Sequence, residues 1–91
     1  MTVTVMSDGV LRFVVFLLPA GPEEVFVAGT WNDWTPGVDR LRRGRGQTRR
    51  AVVYLDPGRH LFRYVTANGR WFNDPAVETD GENCVLVVPA A

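Results

Sequence analysis

Glycine and proline cut this chain into short apolar runs at near-regular spacing, and no window holds a sustained 3.6-residue apolar period. Punctuation of that kind disfavours helices and predicts an all-β sandwich. The runs that read as strands are residues 10–18, 23–28, 39–43, 48–55, 59–66, 70–73 and 83–88. Seven strands are an immunoglobulin-like count for an antiparallel β-sandwich. Between them, Pro19-Ala20-Gly21-Pro22, Gly44-Arg45-Gly46, Asp56-Pro57-Gly58 and Ala67-Asn68-Gly69 carry turn chemistry and suit antiparallel neighbours. Residues 74–82, with a proline, a glycine and four acidic side chains, read as a loop.

A chain of 91 residues, 46% hydrophobic, is long enough for one domain over 1–91, with a core at about 10–88, and too short for two. Net charge is zero and all ten cations are Arg, which argues against general attraction to nucleic acid or to an anionic membrane. The single cysteine, Cys84, lies in an apolar run and reads as a small buried hydrophobe, with no disulfide possible inside one chain. The apolar run 13–18 is far too short to cross a bilayer, and Met1-Thr2-Val3 lacks the basic start of a signal peptide. A cytoplasmic protein is therefore the default expectation.

The chain is organised around Val25-Phe26-Val27-Ala28-Gly29-Thr30-Trp31-Asn32-Asp33-Trp34, an apolar strand running into a polar loop with two of the three tryptophans. A large ring is normally spent on the core, so a ring kept at a loop tip suggests a binding platform; the alternative is that both rings cap the sandwich. In residues 59–66, period two sends Phe62 and Tyr64 inward and Arg63 outward. The direction of Trp71 depends on the preceding turn. A two-residue Asn68-Gly69 turn sets Trp71 opposite Thr66 and toward the core, whereas a three-residue loop with Gly69 left-handed sets it opposite Val65, on the face of Arg63. The second is preferred, because it brings an aromatic ring beside an outward Arg.

These pieces, together with Pro57-Gly58-Arg59-His60-Leu61-Phe62-Arg63-Tyr64, Gly69-Arg70-Trp71, Asp74-Pro75 and Gly81-Glu82-Asn83-Cys84-Val85-Leu86-Val87-Val88, resemble a family 48 carbohydrate-binding module. That family comprises the glycogen-binding domains of AMP-activated kinase β subunits and the early-set domains in front of branching and debranching enzymes. The ordered set spans 10–88. The resemblance implies an early-set sandwich and a non-catalytic module for α-glucan, with no cofactor and with a catalytic or kinase domain as a second partner. It also implies that Trp34, Trp71, Arg63 and Asn83 carry the sugar, and that Trp31, where the family usually has Phe, belongs to the core. This chain has Arg63 where the family often has Lys, and its hairpin before Trp71 is one residue longer than in the kinase modules. Some members bind no glucan and act as spacers or docking surfaces, which supplies the alternative function.

Other constellations carry less. Arg40, Arg42, Arg43, Arg45, Arg49 and Arg50 crowd one hairpin that could meet phosphate or an acidic partner, but lack interleaved aromatics and read better as a solvated, edge-protecting strand pair. Asp74, Glu78, Asp80 and Glu82 match no calcium-loop spacing. His60 has neither Ser nor Cys at a meaningful spacing, and a small sandwich offers no cleft to seat two carboxyls across a glycosidic bond. Arg63 has a second reading as a solvated strand residue or a partner of Asp74.

Overall fold

Period-two alternation sorts each strand into an inward and an outward row, and the computed structural model, which describes residues 1–90, shows the two rows meeting in a sandwich. The strands are β1 (Thr2–Asp8), β2 (Leu11–Pro19), β3 (Val25–Gly29), β4 (Asp39–Arg40), β5 (Arg42–Arg43), β6 (Thr48–Tyr54), β7 (Gly58–Thr66), β8 (Trp71–Phe72), β9 (Thr79–Asp80) and β10 (Asn83–Val88). A single 3-10 turn, Thr30–Asn32, follows β3. One sheet runs β1-β2-β6-β5 and the other β4-β3-β7-β10-β9, with β8 added beside β7; every pairing is antiparallel. The all-β, immunoglobulin-like sandwich is therefore the observed architecture.

Three features correct the sequence expectations. The chain gains a first strand, β1, that pairs along its whole length with β2 and sends Val3 and Val5 against the core. The run 39–43 is two strands in different sheets: Leu41, buried between them, is the corner where the chain crosses the sandwich. The acidic segment 74–82 is not wholly loop, because Thr79 and Asp80 pair with Cys84 and Asn83.

The core is aromatic at its centre. Phe16, fully buried, meets Phe62 at 5.2 Å and Tyr64 at 6.3 Å edge to face, and Trp31 lies over it at 5.9 Å in a stacked arrangement. Such pairs add about 0.5–1.5 kcal/mol each beyond their area. Cys84 is buried, as its apolar setting predicts, and burial pushes its thiol pKa up. Burial first, and then the nearby Asp74 carboxylate, raise the Tyr64 hydroxyl in the same direction, so it stays protonated. No described helix is long and apolar enough to cross a membrane.

Candidate functional site

The loop after β3 is locked by one acidic side chain. Asp39 Oδ2 accepts hydrogen bonds from Trp31 Nε1 and Asn32 Nδ2, both at 2.8 Å, while Asn32 also donates to the Val27 carbonyl and accepts from the Gly29 amide. Asn32 and Asp39 are thus structural. Trp31 is half-buried, packed on Phe16 with His60 edge-on at 6.2 Å, which places its ring at the core margin. Gly29 makes this approach possible: a Cβ there would stand 2.5 Å from Trp31 Cζ3 and 2.7 Å from the Leu61 carbonyl oxygen. His60 is tied to the Asp56 carbonyl through Nε2 at 2.8 Å.

Beyond the lock, Asp33 and Trp34 both adopt left-handed backbone, with φ of 55° and 57°. For a bulky residue this conformation is a true outlier, sustained only when its surroundings over-determine it. Here the overdetermination comes from the Asn32 bonds on one side and from the Trp34 amide donating to the Gly29 carbonyl at 2.9 Å. Trp34 is half-buried, on a loop whose path is fixed.

The turn into β8 is the three-residue form. Gly69 is left-handed at φ 87°, the Thr66 amide bonds the Arg70 carbonyl, and Trp71 lies opposite Val65. Phe72, not Trp71, takes the inward place, 5.4 Å from Tyr64. Trp71 keeps 38% of its surface exposed on the outward row shared with Arg63.

Arg63 sits where the neighbour of β7 changes from β8 to β10. The β10 ladder ends at Phe62–Cys84 and the β8 ladder at Tyr64–Phe72, which leaves Arg63 at the gap between them. The seam is stitched by Asn73, which accepts from Arg63 Nε at 2.7 Å and donates to the Glu82 carbonyl at 2.7 Å. Arg63 therefore pairs with Asn73 and not with Asp74, which is buried and caps the Ala76 amide. Arg63 and Asn73 thus form one hydrogen-bonded pair on the outward row that also carries Trp71. The sequence reading missed Asn73, although its position two residues after Trp71 places it on the same face.

The Arg-rich hairpin lies elsewhere. β5 is the edge of the four-stranded sheet, and a cavity of about 480 Å³, lined in part by Arg40, Arg42, Arg43 and Arg50, opens beside it. Arg40 pairs with Glu24 at 3.3 Å. Among the described residues, no three His, Cys, Asp or Glu side chains come together to hold a metal ion.

A comparison with curated proteins finds no match to the chain. The model of one family, described as the glycogen recognition site of AMP-activated protein kinase, matches residues 13–88, a span from β2 to the end of β10. That family is a carbohydrate-binding module, a non-catalytic domain. The match covers both the Trp31–Trp34 loop and the Trp71 hairpin, and this chain belongs to that family.

Proposed function

We propose that the chain is a single module that binds α-glucan, as glycogen, starch or their oligosaccharides, on the outer face of its six-stranded sheet. The observation that carries this reading is the Val65–Trp71 register, which leaves an exposed ring in line with Arg63. Trp34 and Trp71 stack the sugar; Arg63 and Asn83 bond its hydroxyls. A pyranose presents C–H groups on one face, so a flat ring covers apolar area without stranding hydroxyls. At ~100 Å² per ring, each contact contributes on the order of 2.5 kcal/mol before entropic costs, consistent with a dissociation constant of roughly 10 μM to 1 mM. The strained backbone at Trp34 supports the same reading, because conformations of this cost cluster at binding sites.

Titration calorimetry with maltoheptaose tests it: saturable heat and protection of Trp fluorescence are expected, and neither signal at millimolar sugar would overturn it. The alternative is a docking domain for a catalytic or kinase partner, favoured by the apolar outer face of the other sheet. A folded chain that ignores maltoheptaose would take that reading. A buried lone thiol is in keeping with a cytoplasmic setting.

A further inference from the structure

The outer face of the four-stranded sheet is apolar where a sandwich normally presents polar side chains to water. β2 alternates Val14, Phe16 and Leu18 into the core, yet sends Leu11, Phe13, Val15 and Leu17 outward. The outward row continues across the sheet: Phe13 lies between Met6 and Tyr54, its ring 5.7 Å from that of Tyr54, and Val15 lies opposite Val52. Met6 and Val52 are each 46% exposed and Tyr54 is 64% exposed. A strand apolar on both faces is the pattern of a strand covered on both faces.

Charge on this face is confined to its ends. At one end Arg50 stands directly across from Arg42, a like-charge pair that costs stability on its own. None of the three Arg–carboxylate ion pairs among the described residues includes either of them. At the other end of the same strand, β6, Tyr54 is followed two residues on by the exposed Asp56. The face is therefore basic at one end, apolar along β2 and β6 in the middle with Thr4 of β1 beside Val15, and acidic at the other end, where Asp8 stands across from Leu11. A two-fold axis lying in the plane of the interface and crossing the strands near Val52 maps it onto itself, bringing Arg50 of each copy beside Tyr54 and Asp56 of the other. Zero net charge removes long-range repulsion between copies.

We propose that two copies of this chain associate face to face through their four-stranded sheets, with Val15 and Val52 at the centre and Arg50 paired with Asp56 of the second copy at each end. Three strands about 4.8 Å apart and about 24 Å long, with the two-residue β5 beside them, give a footprint of roughly 380 Å² per copy before side-chain relief. That lies below the usual range for a stable complex, so the dimer is a weak one, populated at tens of micromolar and above. It does not depend on sugar binding, which uses the opposite face.

Sedimentation velocity from about 5 to about 500 μM tests it, with circular dichroism confirming that each variant is folded. The wild-type chain is expected to shift from monomer to dimer, and Val52→Glu to remain monomeric throughout. Arg50→Asp is expected to weaken association roughly tenfold or more, and Arg50→Asp combined with Asp56→Arg to restore it to within about threefold of wild type. A wild-type chain that stays monomeric at the highest concentration overturns the proposal, and so does a dimer that Val52→Glu leaves intact. Failure of the double exchange to restore association overturns it as well.

Discussion

The two outer faces of this sandwich are built on the same alternation and come out opposite in character. On the six-stranded sheet, the exposed Trp71 ring shares an outward row with Arg63, and Arg63 and Asn73 are held by hydrogen bonds across the β8–β10 seam. On the four-stranded sheet, the middle is aliphatic and aromatic, and charge is kept to the ends. A ring set among hydroxyl-binding groups suits a ligand that is apolar on one face and polar at its rim, as a sugar is. A dry face with terminal charges suits another protein surface. The difference shows that exposed aromatic area alone does not name a ligand; the polar groups beside it do.

The strongest way to break the comparison is to disturb the loop behind one face only. Gly29 has ordinary extended backbone, with φ of −160°, so its need for hydrogen is steric. Gly29→Ala forces Trp31 from Phe16 and is expected to cost about 2–3 kcal/mol and to lower Tm by roughly 10 °C, with maltoheptaose binding lost and self-association kept. A thermal melt within two or three degrees of wild type would contradict this account of the loop. Next in size, Trp71→Ala should weaken maltoheptaose roughly 50-fold in calorimetry while the far-ultraviolet spectrum is unchanged. An unchanged affinity would remove Trp71 from the site.

Asn73→Ala probes the seam. It leaves both rings in place and frees the Arg63 guanidinium, so affinity should fall about fivefold, with the loss expressed in enthalpy. Arg63→Ala in that background should then cost less than it does in the wild type, and full additivity would show that Asn73 does not position Arg63. The smallest effect concerns the shared core. Cys84 holds its proton more tightly folded than unfolded, so stability is fully present below the unfolded thiol pKa and declines as pH rises above about 9. Cys84→Val should flatten that decline in denaturant titrations between about pH 9 and 10; an unchanged slope would assign it to other groups.

Much of the site's direction was legible in local pattern. Alternation in residues 59–66 separates Phe62 and Tyr64 from Arg63, and loop length before Trp71 settles its register, because one residue more or less moves the ring to the opposite face. Trp31 packs at the core margin, as the family resemblance implies. Other features were not legible. β1 contributes only Val3 and Val5 to the core and owes its strand form to seven partners on β2. Leu41 is one apolar residue among arginines, and only the positions of two separate sheets reveal it as a corner. The partner of Arg63 depends on a seam between strands ten residues apart, where β8 ends and β10 begins.

The sequence by itself determined the fold class, the inward rows of β2, β3, β7 and β10, and the family, because these follow from periodicity, turn chemistry and ordered motifs along the chain. Only the tertiary structure decided which polar group pairs with Arg63, how Asp39 locks the tryptophan loop, and that the second apolar row of β2 lies on the outer face of its sheet. Hydrophobic alternation is a property of neighbours in sequence, whereas a site is made where strands distant in sequence share an edge, and their register is fixed by the packing of the whole sandwich.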